Sequence, residues 1–251
     1  MQTIIAVMHD GIDETQIRRA GDILKEGGLV AFPTETVYGL GGNALDAQAS
    51  AKIYAAKGRP SDNPLIVHIA DWDAMSKIAS EIPAEAKKLA DAFWPGPLTM
   101  ILKKSDAVPM ATTGGLDTVA IRMPSNEVAR ALIRAGGGYV AAPSANTSGR
   151  PSPTCAAHVA QDLGGKIEMI IDGGNANIGL ESTIVDLTEG KPTILRPGYI
   201  NQEMMEQVLD EVEMDRGLIS PDSNVHPKAP GMKYRHYAPE AAVTVVDGST
   251  E

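Results

Sequence analysis

Short apolar runs alternate with segments of helical periodicity along most of this sequence. The run LVAF, for example, follows a helical pattern that Asp13 can cap and that Gly27 ends. Runs this short predict buried strands, and strands that alternate with helices predict an α/β domain. The turn TEGK between two runs predicts a hairpin, so the sheet should mix parallel and antiparallel pairs. The predicted strands are QTIIAV, LVAF, LIVHIA, LTMILKK, DTVAIRM, YVAAP, IEMII, STIVDL and PTILR.

Capping residues predict where further helices begin. Asp46 is predicted to cap the helix that leads to Lys57, because its side chain can accept from free backbone N–H groups. Ser152 as a cap and Pro153 in the first turn predict a helix that starts at residue 153. A last amphipathic helix is predicted over residues 202–213.

The composition excludes several classes of protein. The apolar runs are too short to span a membrane, and the N-terminal residues lack the basic stretch of a signal peptide. The single Cys155 cannot form an internal disulfide, so we expect a cytoplasmic protein. The formal net charge of −10 disfavours a general nucleic-acid binder, which usually carries a basic surface.

Basic residues are nevertheless concentrated in loops rich in Gly, Pro and Ser. Cations in such loops of an acidic protein suit a compact anionic ligand such as a nucleotide phosphate. Each of them taken alone fits solvated surface charge equally well. These residues are Lys57, Arg59, Arg122, Arg150, Arg196, Lys233 and Arg235.

The segment PTETVYGLGGNA, residues 33–44, allows two functional interpretations. Its glycines and last alanine match G-x-G-x-x-A, the spacing of dinucleotide-binding loops. Such a loop should follow its strand directly and open a helix, whereas PTETVY intervenes here. The alternative is a loop whose hydroxyl groups, on Thr34 and Thr36, face a ligand at the carboxyl end of the strand. An ordinary turn remains the simplest explanation without a function.

The segment KGRPSDNP, residues 57–64, combines two cations with two prolines that stiffen the loop. Lys57 supplies a point charge and Arg59 a planar fork of donors, which together suit a polyphosphate. Asn63 can add an amide contact. The phosphate-binding motif G-x-x-x-x-G-K-[ST] is not present.

The segment APSANTSGRPSPT, residues 142–154, crowds polar groups at the end of a predicted strand. Ser144 and Asn146 offer donors and acceptors, and Arg150 adds charge near the start of the next predicted helix, a position that favours anions. A polar turn rich in Ser, Asn and Gly accounts for the same residues. A nucleophilic serine is not indicated, since no G-x-S-x-G motif occurs.

Two charged or titratable residues lie inside predicted strands. Arg122 in DTVAIRM is the stronger anomaly, because an arginine in an apolar strand needs an anionic partner. A lone histidine in a strand, such as His68 in LIVHIA, more often has a structural role than a functional one. Ser182 begins one strand of the predicted hairpin and Arg196 ends the other, so both should reach the same rim. The five histidines and one cysteine show no metal-binding spacing.

Taken together, these segments resemble the YrdC-like family. The resemblance implies an open, twisted mixed sheet with a large concave cleft that holds ATP and L-threonine side by side. It also implies a nucleotidyltransferase, an L-threonylcarbamoyladenylate synthase, that makes an adenylate and pyrophosphate from L-threonine, bicarbonate and ATP. The product would pass to a transferase that modifies tRNA. The matching segments, in the family's order, are PTETVYGL, KGRPSDNPLIVHI, FWPGPLT, VAIRMP, APSANTSGRPSPT, ESTIVD and ILRPG.

The resemblance implies two sets of binding residues and no protein nucleophile. Arg122 would pair with the threonine carboxylate, and Mg²⁺ would enter with ATP rather than on protein ligands. The threonine set is Thr34, His68, Arg122, Ala142 and Ser182. The nucleotide set is Lys57, Arg59, Asn63, Thr118, Ser144, Asn146, Arg150, Arg196 and Tyr234.

The last part of the sequence, where APGMKYRHYAP lies, resembles the linker of longer, two-domain members. We therefore expect a catalytic domain at residues 1–214, an extended linker and active-site lid at 215–240, and the first strand of a truncated C-terminal domain at 241–251. An alternative function is a module that binds tRNA or double-stranded RNA, although the synthase does not require direct tRNA binding. A dinucleotide-dependent oxidoreductase rests only on the glycine spacing.

Overall fold

A mixed sheet with helices on its faces forms the framework of the protein. The computed structural model describes residues 1–215 and Thr244. The strands are Ile4–Val7 (β1), Val30–Phe32 (β2), Gly39–Asn43 (β3), Ile66–His68 (β4), Leu98–Lys103 (β5), Thr118–Arg122 (β6), Val140–Ala142 (β7), Met169–Asp172 (β8), Thr183–Asp186 (β9), Thr193–Arg196 (β10) and Glu213–Met214 (β11). The helices are Glu14–Lys25 (α1), Ala47–Lys57 (α2), Met75–Ile78 (α3), Ala84–Phe93 (α4), Glu127–Ala135 (α5), Ala156–Leu163 (α6) and Gln202–Glu206 (α7).

The described strands form one 11-stranded sheet in the order β1-β8-β2-β3-β7-β4-β6-β5-β9-β10-β11. The pairs β1–β8, β2–β8, β4–β6, β5–β9 and β10–β11 are parallel. The pairs β2–β3, β3–β7, β4–β7, β5–β6 and β9–β10 are antiparallel. The predicted mixed α/β sheet is therefore confirmed, and so is the hairpin of β9 and β10.

Alternate residues of the central strands face two different environments. In β4 and β6, Val67 and Ile121 belong to the main hydrophobic core, whereas their neighbours His68 and Arg122 line a cavity. Successive side chains of a strand point to opposite faces, so one face of these strands packs into the main core. The other face carries a smaller apolar cluster that includes Ile66 and Ala120, and the polar residues His68 and Arg122 at the strand ends. Helices α1 and α5 pack against each other over a second core.

The predicted helix caps are present at α1 and α2. The Asp13 carboxylate accepts from the backbone N–H groups of Thr15 and Gln16 at 2.9 and 3.1 Å. Asp46 accepts from the N–H of Gln48 at 2.8 Å. Each cap satisfies donors that the first turn of a helix leaves unpaired, which explains why both helices begin where the sequence predicted.

The dinucleotide interpretation of residues 33–44 is wrong, because the glycines lie in strand β3 and not in a loop before a helix. Their small size serves close packing instead. A Cβ on Gly41 would meet Val140 Cγ1 at 2.8 Å and the Phe32 ring at 3.0 Å. A glycine is required at position 41 because side chains of the neighbouring strands pack directly against the backbone there.

Two predicted helix boundaries are also wrong. Helix α6 begins at Ala156 rather than residue 153, since the Pro153 carbonyl accepts from the Tyr38 N–H and the Ser152 hydroxyl bonds Glu181. The predicted helix over residues 202–213 ends at Glu206. The chain then turns so that β11 can pair with β10, which adds a strand to the edge of the sheet.

The predicted lid and linker from residue 216 onward, the contact of Tyr234, and the strand at 241–251 fall outside the described residues, apart from Thr244. Within the described part of the chain, none of the helices has the length and apolar character needed to cross a membrane.

We expect Gly41→Ala to lower the free energy of unfolding by about 1–3 kcal/mol, because the added methyl group overpacks the site against Val140 and Phe32. Urea denaturation measures the change. Gly42→Ala is the matched control. Its methyl group would meet mainly the flexible ends of Ile53 and Leu29, at 3.1 and 3.2 Å, so a smaller loss is expected. An equal or larger loss for Gly42→Ala would contradict this account.

Candidate functional site

A cavity with about 670 Å³ of space, part of it open to solvent, lies on the polar face of the central strands. It brings together side chains that are far apart in sequence but follow or occupy neighbouring strands. Among its lining residues are most of those predicted from the sequence: Thr34, Lys57, Arg59, His68, Arg122, Ala142, Ser144, Asn146, Ser182 and Arg196.

Three predicted residues of the described chain are not among the lining residues. Asn63 is buried, and neither polar atom of its side-chain amide has a hydrogen-bond partner among the described residues. Thr118 lies at the start of β6 and is half-buried. Arg150 is exposed beside a second cleft, where its guanidinium donates to Asp162 at 2.5 Å.

The turn between β2 and β3 is held by the hydroxyl groups of two threonines. Thr34 Oγ1 donates to the carbonyl of Val37 at 2.6 Å and lies 2.9 Å from Thr36 Oγ1. Because the only hydroxyl hydrogen of Thr34 is used in this way, Thr36 must be the donor between the two threonines. The Thr34 oxygen also accepts from the backbone N–H groups of Thr36 and Val37 at 3.2 and 3.3 Å, so its lone pairs are already used within the turn.

Arg122 has an anionic partner within the protein. Its Nη2 donates to Glu35 Oε1 at 2.6 Å, and its Nη1 donates to Thr36 Oγ1 at 2.9 Å. The side chains of Arg122 and Glu35 are only 5% and 8% exposed. The sequence predicted the need for an anion, and the resemblance implied the threonine carboxylate as that anion. Glu35 was not predicted, because in a polar turn it resembles an ordinary surface residue.

His68 is buried and uncharged at neutral pH. Burial, and then the nearby charge of Arg122, lower its pKa from 6.5 to about 3. Nδ1 lies 3.1 Å from the carbonyl of Ile66, so this nitrogen carries the hydrogen of the neutral ring. The edge of the ring packs against Phe32, with the centroids 6.0 Å apart. Nε2 is therefore a hydrogen-bond acceptor.

Lys57 is 1% exposed, and its ammonium is surrounded by protein oxygens. It donates to the carbonyls of Ser144 and Asn146, both at 2.5 Å, and approaches the Asn146 side-chain oxygen at 3.3 Å. Its own carbonyl accepts from the Ser148 N–H at 2.8 Å. Burial, and then the charge of Arg59, hold the pKa of Lys57 well below its ordinary value. This lysine joins the end of α2 to the loop after β7.

Arg196 and Ser182 meet at the rim of the cavity, as the hairpin prediction required. Arg196 donates to the carbonyl and the hydroxyl oxygen of Ser182 at 3.0 and 3.1 Å. Thr99 Oγ1 lies 2.7 Å from the same hydroxyl. Arg59 donates to the backbone carbonyl of Pro64 at 3.1 Å, which shapes its loop.

Several lining residues were not assigned from the sequence. Thr36 was named there only as a hydroxyl group of a candidate ligand loop. No pattern pointed to Glu181, which accepts from the Ser152 hydroxyl at 2.6 Å. Within residues 1–215 and at Thr244, no group of His, Cys, Asp or Glu could hold a metal ion. The other unassigned lining residues are Val37, Tyr38, Gly39, Ile66, Pro143 and Ser148.

Comparison with known proteins identifies related sequences over nearly the whole chain. The curated threonylcarbamoyl-AMP synthase of Pyrococcus abyssi is 56% identical over 246 residues, which cover 98% of this chain and 72% of the relative. The threonylcarbamoyl-AMP synthase of Bacillus subtilis is 53% identical over 240 residues, or 95% of this chain and 69% of the relative.

A solved structure of P. abyssi Sua5 complexed with L-threonine superposes on this protein with a TM-score of 0.92, covering 95% of this chain and 70% of that one. Its sequence is 56% identical. A family model described as threonylcarbamoyl-AMP synthase, C-terminal domain, matches residues 200–251. The model for Sua5, YciO and YrdC proteins, described as telomere recombination, matches residues 22–198. Since that match spans most of the sequence, the chain belongs to the Sua5/YciO/YrdC family.

Proposed function

We propose that this protein is an L-threonylcarbamoyladenylate synthase, which forms threonylcarbamoyl-AMP and pyrophosphate from L-threonine, bicarbonate and ATP. The observation that carries the proposal is that one cavity is lined by Arg122, Thr34 and His68 together with Arg59 and Ser144. The names of the two curated relatives and the threonine complex of the P. abyssi protein support it.

The Arg122 side of the cavity suits an α-amino acid. The guanidinium would bind the carboxylate, and the Nε2 of neutral His68 would accept from the amino or hydroxyl group of threonine. The turn of Thr34 would lie beside the ligand. The Ser182 hydroxyl and the small apolar side chain of Ala142 would complete the pocket. This assignment gives the carboxylate a donor and leaves His68 as an acceptor for the other polar groups of threonine.

The opposite side suits a nucleotide. Arg59 and Arg196 supply positive charge, and Ser144 and Asn146 offer polar groups from a loop that Lys57 holds in place. The unpartnered amide of Asn63 is a further candidate contact. Mg²⁺ is proposed to enter with ATP and to share the charge of the leaving pyrophosphate, because the donors here are mainly cations, hydroxyls and amides rather than metal ligands. The roles of Thr118, Arg150 and Tyr234 remain predictions.

The proposed chemistry needs positioning rather than a protein nucleophile. The threonine amine and bicarbonate would form N-carboxy-threonine with loss of water. A carboxylate oxygen of this carbamate would attack the α-phosphorus of ATP, and the bond from that phosphorus to the pyrophosphate oxygen would break. Held groups and neutralised charge favour such a step.

We further propose a cytoplasmic protein whose product is used by a tRNA-modifying threonylcarbamoyl transferase, with residues 215–240 as a lid over the cavity. A lid would exclude the water that hydrolyses the mixed anhydride. The small, partly enclosed cavity favours this function over an RNA-binding module, since an extended RNA surface requires no such cavity.

Incubation of the protein with ATP, L-threonine, bicarbonate and Mg²⁺ tests the proposal. We expect pyrophosphate release that requires both threonine and bicarbonate, because the carbamate is the attacking group. A coupled pyrophosphate assay measures it. Release that continues without threonine would contradict the proposed reaction.

We expect Arg122→Gln to raise the Kd for L-threonine by roughly tenfold or more, since charged hydrogen bonds to the carboxylate are lost. The glutamine amide still offers a donor to Glu35. The Kd for a non-hydrolysable ATP analogue should change by less than about threefold, and calorimetry measures both affinities. Arg134→Gln, which removes only an exposed ion pair with Asp71, is the control. Equal losses for the two ligands would contradict the division of the cavity.

We expect Lys57→Met to lower the melting temperature by several degrees and to weaken binding of the ATP analogue, because buried oxygens of Ser144 and Asn146 lose their donor. Lys52→Met is a matched control on the same helix, where an exposed lysine donates to one backbone carbonyl, that of Gly27. If Lys57→Met kept the wild-type melting temperature and lost only nucleotide affinity, Lys57 would contact the phosphates rather than hold the loop of Ser144 and Asn146 in place.

A further inference from the structure

The buried pair of Glu35 and Arg122 leaves part of the arginine available to a ligand. A guanidinium has five N–H groups. Within the described residues, Nε donates to the Gly96 carbonyl at 3.4 Å, and one hydrogen each of Nη1 and Nη2 goes to Thr36 and Glu35. The second hydrogen on each terminal nitrogen therefore stays available. Arg122 lines the cavity, so these hydrogens belong to the side chain that meets the ligand.

Glu35 is held as firmly as the arginine that it contacts. Its Oε1 accepts from Arg122 at 2.6 Å, and its Oε2 accepts from the Ser125 N–H at 3.2 Å. Both oxygens thus face donors at fixed positions, and the residue is 7% exposed. Glu35 is not among the residues that line the cavity, so it acts on a ligand through its charge and through Arg122.

The pair also sets the charge at this end of the cavity. The negative charge of Glu35 offsets the positive charge of Arg122, and the His68 ring is neutral at physiological pH. The Thr34 hydroxyl, which donates to the Val37 carbonyl, adds no charge. This arrangement is complementary to a ligand that has no net charge. Such a ligand carries one anionic group, which Arg122 binds, and one cationic hydrogen-bond donor.

We propose that Glu35 is a specificity-determining residue that makes the site select a zwitterionic α-amino acid over the corresponding carboxylate without an ammonium group. This inference rests on the proposed function and adds the physical basis of its substrate choice. Without the carboxylate of Glu35, Arg122 would present an uncompensated positive charge. That charge would attract any small anion and repel an ammonium group, so the preference for a zwitterion would be lost.

The test compares two ligands that differ only in the ammonium group. L-Threonine and 3-hydroxybutyrate share the carboxylate, the hydroxyl and the methyl group. Calorimetry, or competition against threonine where binding is weak, gives both affinities for the wild type, Glu35→Gln and Glu35→Asp. The glutamine has the same shape, and its oxygen can still accept from Arg122, but its NH2 group would face the Ser125 N–H. The first variant therefore removes the charge and one accepted hydrogen bond, and the loss of that bond should weaken both ligands alike. The aspartate keeps the charge and shortens the side chain.

We expect the wild type to prefer threonine by at least about tenfold. Glu35→Gln should reduce this preference by roughly tenfold, since threonine loses more affinity than 3-hydroxybutyrate does. Glu35→Asp should bind both ligands more weakly and keep the preference. Binding of an ATP analogue and the melting curve show that each variant is folded.

Losses of the same size for both ligands in Glu35→Gln would assign Glu35 a structural role only and overturn the inference. An unchanged preference would overturn it as well. If Glu35→Gln does not fold, Glu35→Asp decides the question. A folded Glu35→Asp that loses the preference for threonine although it keeps the charge would overturn the inference. A wild type that fails to bind threonine contradicts the proposed function itself, and the inference then fails with it. If the wild type prefers threonine and Glu35→Gln keeps the same preference, only the inference is contradicted and the proposed function stands.

Discussion

The buried ion pair of Arg122 and Glu35 connects parts of the chain on which the geometry of the cavity depends. Arg122 belongs to a central strand, whereas Glu35 and Thr36 belong to the turn after β2. Removing two charges from water is unfavourable unless further hydrogen bonds satisfy both groups, and here Ser125, Thr36 and Gly96 supply them. The turn therefore cannot move independently of the strand, and Thr34 is fixed beside the cavity before any ligand arrives.

Lys57 performs the corresponding task at the loop that follows β7. An ammonium without a carboxylate partner is stable in the interior only if oxygens surround it, and the carbonyls of Ser144 and Asn146 do so. Those carbonyls follow β7, so helix α2 is tied to the end of the neighbouring strand. Arg122 and Lys57 hold different loops, so each of these two buried side chains shapes a different part of the cavity.

The sequence predicted nine of the eleven described strands and the position of Arg122 correctly, because both depend on local pattern, whereas the glycine-rich β3 and the short β11 were missed. An apolar run with one arginine is visible without a structure, and the energetic cost of the unpaired charge demands a partner. The identity of that partner was not predictable, since Glu35 meets Arg122 only through the fold. The same reason explains Lys57: its place in a Gly/Pro-rich loop suggested a phosphate contact, but its acceptors lie about 90 residues further along the chain.

The residues missed or misread share a dependence on contacts between distant segments. Gly39 and Gly41 have the spacing of a phosphate-binding loop. Here, however, the spacing arises because side chains of neighbouring strands pack directly against the backbone of β3 at both glycines. Ser152 has the chemistry of a helix cap, but its hydroxyl bonds Glu181 instead. Local chemistry defines what a residue can do, and long-range packing decides which of these options is used.

The hydrogen-bond directions around the turn give the site a fixed polarity. Arg122 donates to Thr36, Thr36 donates to Thr34, and Thr34 donates to the Val37 carbonyl. With each hydrogen assigned, the groups that meet a ligand cannot exchange donor and acceptor roles to suit an incorrect one. A reaction that uses no protein nucleophile depends on such fixed positions, since its rate advantage comes from held substrates and from dipoles that need not reorient. The same chain of hydrogen bonds that stabilises the fold therefore also defines the proposed chemistry.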